Sequence, residues 1–543
     1  MRKYVYVILT SILLAALSLR LYPTLTSGQP FSTDAWSPIK NAELLMMHTP
    51  VSLDDAMFDG YNNHWPANSL FGVVFSQVIG VELKQAMALV FPVIGAMAIL
   101  IFFALVERLF NATISLIASA FFATAFTHVL FTAGVTKETY ANPLYLLLIL
   151  IFLHPTLGGR RQTFLFAVTS IALALTHHLT PLITIAILSS IAIGHFVGNM
   201  KKGLSLYKSD FLLVAVLTAV TTLYYLFYGQ AGFKLSLTPI DWLSAASYQL
   251  VAFFLATYFT FKPSLHSRVR TLFTFSVAII LPLLFMVLAT KTPLVSGAPI
   301  LPSRYLLYAA PSVMASPLII LGYGRMKSLP GERHAAAVFW LATILGLEGY
   351  AVFGNSDFGL TLLSRGVNFL WPPVAIVCAV GLYRLYTTAR KPYGRKLVAG
   401  LAATVTILTV VTITSVNAYS VYAAVSLEER YMLYFFLYTS HEYEAGAWVT
   451  AANNNRTVAG DVKVSYLLGD YFNVKVDVLQ GLRYLTGECG LKPQILLTYE
   501  SMMGNGYVLY GGYIADLPEN WTGKASQLNQ VYSNGVVGIY AGA

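Results

Sequence analysis

Three short strings hold side chains suited to chemistry: Ser32-Thr33-Asp34-Ala35-Trp36, Lys137-Glu138-Thr139 and Pro302-Ser303-Arg304-Tyr305. Each lies beside a long apolar run, where a charge is costly to keep and so calls for a reason. The Asp34 carboxylate suits a general base taking the proton of an acceptor hydroxyl, or a ligand for a metal ion. It would equally serve as the N-cap or first-turn acid of a helix starting there. Glu138 offers a second carboxylate and Lys137 a contact for phosphate, although acids are favoured in any first helical turn. The Arg304 guanidinium can hold two phosphate oxygens at once, or else snorkel to the membrane interface. His64-Trp65-Pro66 can shape a sugar pocket through aromatic stacking, against the commoner use of an interfacial Trp as a membrane anchor. Arg365, placed in a loop after Asp357, is a weaker counterpart of Arg304. Arg20 ends the first apolar run and is placed to pair with Asp34, which would favour the ionised acid. His177 and His178 lack the ligand spacing of a metal site.

The elements that must position these residues are membrane helices. Of the 543 residues 57% are apolar and 11% charged, against about 25% charged in soluble domains. Such a chain needs lipid as its solvent. Apolar runs long enough for about 30 Å of hydrocarbon occur near 4–19, 86–107, 113–132, 139–154, 163–178, 181–198, 211–228, 242–261, 271–289, 305–322, 335–353, 367–386 and 397–416, about thirteen in all. The first resembles a signal sequence but reads as an uncleaved span, because no polar stretch precedes Ala16-Leu17-Ser18. The net charge of +10 would suggest nucleic acid in a soluble protein; here it is topological. Arg108, Arg160, Arg161, Lys201, Lys202, Lys208, Arg268, Arg270, Arg325, Lys327, Arg333, Arg390, Lys391, Arg395 and Lys396 fall in alternate loops. By the positive-inside rule those loops and the N-terminus are cytoplasmic. Residues from about 425 onward are then extracytoplasmic, which sets the expected division into a membrane domain, 1–424, and an exterior domain, 425–543.

The membrane domain includes a long exterior loop, 21–85, far beyond the usual connection. In it Ala35, Ile39, Ala42 and Met46 repeat at helical spacing opposite Lys40, Asn41 and Glu43, as in a helix lying on the membrane surface. Residues 67–82 are apolar but short and read as a second helix dipping into the interface. In the exterior domain Ala445, Trp448, Val449 and Ala452 mark a helix face. Thr457 to Gly460, Gln494 to Thr498, Tyr507 to Tyr510 and Val536 to Tyr540 read as strands, hence a small α/β fold. Two sequons, Asn455-Arg456-Thr457 and Asn520-Trp521-Thr522, lie in this domain. Cys378 and Cys489 make neither a disulfide framework nor a metal knuckle. Rossmann, P-loop and zincin spacings are absent, which argues against cytoplasmic nucleotide chemistry.

This arrangement resembles the GT-C superfamily of membrane glycosyltransferases, which includes protein O-mannosyltransferases, lipid A aminoarabinose transferases and oligosaccharyltransferases. The likeness covers nearly the whole chain: a first span, a long loop opening with Asp34, a His64-Trp65-Pro66 segment leading into an interfacial helix, many spans and an exterior C-terminal domain. It implies a catalytic role for Asp34, the position of a second-loop acid for Glu138, and a lipid-phosphate contact for Arg304. Arg304-Tyr305, with Pro311 following, looks like the family's Arg-Tyr start of a late span. Lys137, His64, Trp65, Arg20 and Arg365 complete the expected substrate-binding set. Two departures matter. Asp34 is followed by Ala35-Trp36, so no D-x-D supports a divalent metal. The exterior domain has only Trp448 and Trp521 and lacks the W-W-D-Y-G signature, which disfavours transfer of a whole glycan to asparagine.

The expectation is therefore a polytopic α-helical membrane enzyme that moves a sugar from a polyprenyl-phosphate-linked donor to an acceptor protein, glycan or lipid at the extracytoplasmic face. Membrane lipid is a partner and nucleic acid is not. A transporter or flippase of lipid-linked glycans is the rival from another class, but neither an internal repeat nor paired Gly/Pro-broken segments support it. A non-catalytic scaffold of the same fold is the other.

Overall fold

Runs of Leu, Ile, Val, Ala and Phe with few interior charges must satisfy every backbone polar group within the segment, and only a helix does so in a single chain stretch. The computed structural model describes residues 2–48, 60–154, 159–201, 208–233, 238–261, 268–293, 300–326, 333–354, 357–389, 396–426, 437–452, 455–509 and 513–542. Each expected span falls on helix, from Arg2–Ser27 to Lys396–Val425, the one near 113–132 on two helices in succession. Among the described residues eight helices are long and apolar enough to cross a membrane. The number is nine if Ala112–Thr124 and Phe126–Thr132, bent by 66°, form one broken span. Of the basic loop residues, Lys202, Lys327, Arg390, Lys391 and Arg395 lie outside the described residues.

The chain divides into two compact units. The first comprises Met1–Leu19, Gly95–Phe131 and Ala141–Val421. Its core is built from Phe102, Phe122, Tyr145, Phe166, Phe339 and Trp340, all fully buried or nearly so. The broken span is pinned at two points. His128 Nδ1 lies 2.6 Å from Asn368 Oδ1, and Trp371 Nε1 donates to Thr127 Oγ1 at 2.7 Å. Helices Ala310–Met326 and Asp357–Ala389 cross where Gly322 meets the Val377 carbonyl and Gly381 meets the Leu318 carbonyl; a side chain at either glycine would overlap the facing backbone. Arg365 belongs to this second helix and not to a loop. The helix begins at Asp357, before the apolar window that starts at Arg365 itself, so hydropathy alone set its start too late.

The second unit comprises Arg20–Ile94, Thr132–Tyr140 and Tyr422–Ala543. Strands β1 (Val458–Ala459), β2 (Val476–Asp477), β3 (Ile495–Tyr499), β6 (Asn529–Ser533) and β7 (Val537–Ala541) form a sheet of order β2-β1-β3-β7-β6. The first three strands are parallel, and β7 is antiparallel to both β3 and β6. A second ribbon pairs β4 (Tyr507–Val508) with β5 (Ile514–Ala515). The expected strands are present as β1, β3, β4 and β7, with Tyr510 outside the described residues. Helix Ser440–Ala452 buries Ala445 and Val449 and half-buries Trp448, whereas Ala452, expected on the same face, is exposed.

The long first loop folds with this domain. Helix Trp36–Met47 buries Trp36, Ile39 and Ala42 in one cluster with Tyr438, Leu467 and Tyr471, and Leu45 is buried as well. The surface-helix expectation is thus corrected. Its apolar face meets protein rather than lipid, Asn41 is buried with it, and Met46 is exposed. Helix Ala67–Ile79 follows, about 20 Å long at 1.5 Å per residue.

Candidate active site

Asp34 does not open the helix as expected; it sits in a 3-10 turn, Thr33–Ala35, and the α-helix starts at Trp36. The cap of this turn is Ser32, whose Oγ accepts the Asp34 backbone N–H at 3.3 Å. A hydroxyl therefore does the capping that sequence alone could have given to the carboxylate. Ser32 holds φ 90° and ψ 141°, a region L residues rarely adopt, at a cost of about 1–3 kcal/mol. Such a conformation persists only where the surroundings enforce it. Gly134, in the segment between two spans, packs directly on Phe31 and Ser32, and a methyl there would overlap the Phe31 carbonyl oxygen. The two loops are pressed together beside Asp34, which is itself half-buried.

Three residues after Gly134 the helix Lys137–Phe152 begins. Thr136 caps it by accepting the Thr139 N–H at 3.1 Å, while Thr139 Oγ1 donates to the Gly134 carbonyl at 2.7 Å. Lys137 and Glu138 are both buried in the first turn. The Lys137 ammonium lies 5.3 Å from the centre of the Trp65 ring, within cation–π range. Trp65 is buried, and His64 is half-buried with its ring edge-on to the indole at 6.4 Å. Their segment is tied to the Asp34 helix by Asn62 Nδ2, which donates to Ser37 Oγ at 2.6 Å, and by Ser69 Oγ, which donates to the Pro38 carbonyl at 2.8 Å. Arg20 is fully buried, and its Nε donates to Thr132 Oγ1 at 2.8 Å, a second link between first loop and second.

Behind Asp34 the helix is held by aromatic packing. The Trp36 indole stacks on Tyr443 at 6.0 Å and meets Tyr438 and Tyr471 edge-on at 5.2 and 5.4 Å. Each such contact adds about 0.5–1.5 kcal/mol beyond area burial. Tyr471 also donates to Glu43 Oε1 at 2.6 Å, two turns further along the same helix. The frame around Asp34 is therefore closely packed. Contacts of these and neighbouring residues thus tie together the segments that carry Arg20, Asp34, His64, Trp65, Lys137 and Glu138.

Arg304 and Tyr305 belong to the helical unit, in a 3-10 stretch, Ser303–Ala309, that leads into Ala310–Met326. Arg304 is exposed, with its guanidinium 6.0 Å from the ring of the buried Tyr305. Arg365, in the same unit, lies 5.4 Å from the Phe131 ring. His177 has a structural use as the cap of the next helix, Leu179–Lys201, since its Nδ1 accepts the Thr180 N–H at 3.1 Å. Among the described residues no group of three or more His, Cys, Asp or Glu side chains gathers as a metal site would. Sequence reasoning missed Thr132, Gly134 and Thr136. The signal was present in Ala133-Gly134-Val135-Thr136, a glycine followed by a capping hydroxyl just ahead of a helix.

No protein-family model matches the sequence, and no curated protein is similar to it in sequence. Solved structures are similar in fold. The oligosaccharyltransferase of Archaeoglobus fulgidus superposes with TM-score 0.60 at 13% identity, over 92% of this chain and 70% of its own. The A. fulgidus oligosaccharyltransferase AglB in complex with an inhibitory peptide and a dolichol-phosphate gives 0.61 at 12%, over 92% and 70%. ArnT from Cupriavidus metallidurans bound to undecaprenyl phosphate gives 0.51 at 12%, over 99% of this chain and 97% of its own. At such identities the likeness is one of architecture. The chain is a multi-pass membrane protein with the GT-C fold.

Proposed function

We propose that this protein transfers a sugar from a polyprenyl-phosphate carrier to an acceptor at the extracytoplasmic membrane face, with the N-terminus cytoplasmic. Asp34 accepts the proton of the acceptor hydroxyl as its oxygen bonds to the anomeric carbon. The bond from that carbon to the phosphate oxygen breaks, and polyprenyl phosphate leaves with the electron pair. A single displacement of this kind inverts the anomeric centre. Lys137 and Arg304 bind phosphate oxygens and stabilise the charge that develops there, Arg304 through its planar fork. Glu138 is the second acid, and Trp65 with His64 packs against the sugar. Tyr305, Arg20 and Arg365 complete the substrate contacts. Nothing in this scheme is routed through a metal ion.

The observation that carries the reading is the packing of Gly134 on Phe31 and Ser32, which brings the Lys137–Glu138 turn to the loop that bears Asp34. The fold supports it, because AglB and ArnT were solved with dolichol-phosphate and undecaprenyl phosphate. The test is to incubate the purified protein in lipid with a panel of polyprenyl-phosphate sugars and follow released polyprenyl phosphate. Release from at least one donor is expected. Failure of every donor in protein that is folded and inserted would favour the scaffold reading.

A further inference from the structure

The helix that follows Asp34 starts without a side-chain cap, since Ala35 stands at its N-cap and supplies none. Its first residue, Trp36, also closes the turn Thr33–Ala35. Trp36 is fully buried, and its indole N–H makes no hydrogen bond to any described residue. A buried tryptophan usually finds such a partner. Packing therefore seats this ring, and the seat of the ring fixes where the Asp34 turn passes into the helix.

One residue of that seat is attached on several sides. Tyr443 stacks on the Trp36 indole at 6.0 Å, with 21° between the ring planes. Its hydroxyl lies 3.2 Å from that of Tyr471, which donates to Glu43 on the same helix as Trp36. Phe472 packs on it at 5.3 Å. The Lys84 ammonium lies over the Tyr443 ring, 3.6 Å from its centre, well within cation–π range. Lys84 stands in the first turn of the membrane span Leu83–Leu109, and Tyr443 in helix Ser440–Ala452 of the C-terminal domain. The Asp34 helix, a membrane span and the C-terminal domain thus meet at this one half-buried tyrosine. We infer that Tyr443 is a positioning residue: through Trp36 it holds the Asp34 turn against the C-terminal domain, and so sets the reach of the carboxylate towards the acceptor. Its part in transfer rests on the proposed role of Asp34; its hold on the turn does not. The ring does the holding, and the hydroxyl adds one link to Tyr471.

Two variants of the full chain in nanodiscs separate ring from hydroxyl. Tyr443→Leu removes the stack and the cation–π contact, whereas Tyr443→Phe keeps both. In hydrogen exchange Tyr443→Leu is expected to speed exchange about tenfold across residues 33–40 while β3 and β7 keep their protection, and Tyr443→Phe to match the wild type. With the polyprenyl-phosphate sugar that the wild type uses, Tyr443→Leu should lower kcat about tenfold or more at an unchanged KM for that donor, the scale expected when a reacting group is misplaced. Tyr443→Phe should restore kcat. Unchanged exchange at 33–40 in Tyr443→Leu overturns the inference, and so does faster exchange there with kcat unchanged. Lost protection in β3 and β7 also overturns it, because Tyr443 would then support the whole domain. If the wild type releases polyprenyl phosphate from no donor, the transfer reading falls, and the exchange comparison by itself decides whether Tyr443 holds the turn.

Discussion

Two clusters of charged residues lie in the same structural unit, and they differ in what caps the backbone beside them. In the C-terminal domain Glu442 completes a reciprocal cap with Thr439: its Oε2 accepts the Thr439 N–H at 2.8 Å, and the Thr439 hydroxyl accepts the Glu442 N–H at 3.3 Å. Its other oxygen is ion-paired with Lys463, whose ammonium lies over the Tyr438 and Tyr499 rings at 5.3 and 4.4 Å. Asp461 caps Val464 at 2.9 Å and accepts the Tyr499 hydroxyl. Every one of these charges is explained by the fold. Around Asp34 and Glu138 the corresponding caps are hydroxyls, Ser32 and Thr136. In the second cluster a hydroxyl thus takes the capping place that a carboxylate fills in the first.

The largest expected effect breaks the structural cluster. Glu442→Ala leaves Lys463 buried without its carboxylate, which typically costs about 3–5 kcal/mol. Hydrogen exchange in nanodiscs should show lost protection across β1, β3 and β7. A loss below about 1 kcal/mol would mean that the pair contributes little and that the contrast is misplaced. The next effect is on chemistry alone. Asp34→Asn leaves the Ser32 cap in place, so thermal stability should hold while transfer falls about 100-fold or more. Near-normal turnover would remove Asp34 as the base and point to Glu138.

Much of this contrast could be read from sequence, for physical reasons. Spans announce themselves because lipid tolerates few interior charges, and Asp34, Lys137 and Glu138 are conspicuous because they stand beside such runs. The strands β1, β3 and β7 are short apolar runs between turn residues. What stayed hidden depends on contacts far apart in the chain. Periodicity assigned Trp36–Met47 an apolar face correctly but could not say whether lipid or Tyr438 and Tyr471 would cover it. The convergence of Gly134 on Phe31 is likewise invisible locally, since a glycine between two helices reads as an ordinary turn. Arg365 was misplaced because the apolar window opens only at Arg365, while the helix already begins at Asp357.

The smallest expected effect sharpens the structural side of the contrast through pH. Burial pushes the Asp461 carboxyl up to about 6 from an ordinary 3.8, against the lowering influence of the Tyr499 hydroxyl, the Val464 and Val508 N–H groups and Lys463. A raised folded-state value means that the native domain binds this proton more tightly than the unfolded chain does. The stabilisation from protonation is then complete below about pH 4 and is lost as pH rises through 6. Each tenfold difference in proton affinity between the folded and unfolded chain is worth about 1.4 kcal/mol, so the change between pH 4 and 7 amounts to about 1–3 kcal/mol. Asp461→Asn cannot titrate, so it should lack this component while losing a constant amount from the mismatch of its amide with the Val508 N–H. Hydrogen-exchange stability of the C-terminal domain, measured for both proteins from pH 4 to 7, should show the wild-type advantage shrinking as pH rises. A widening advantage would mean that the three donors outweigh burial, placing Asp461 among the acids whose ionised form the fold prefers.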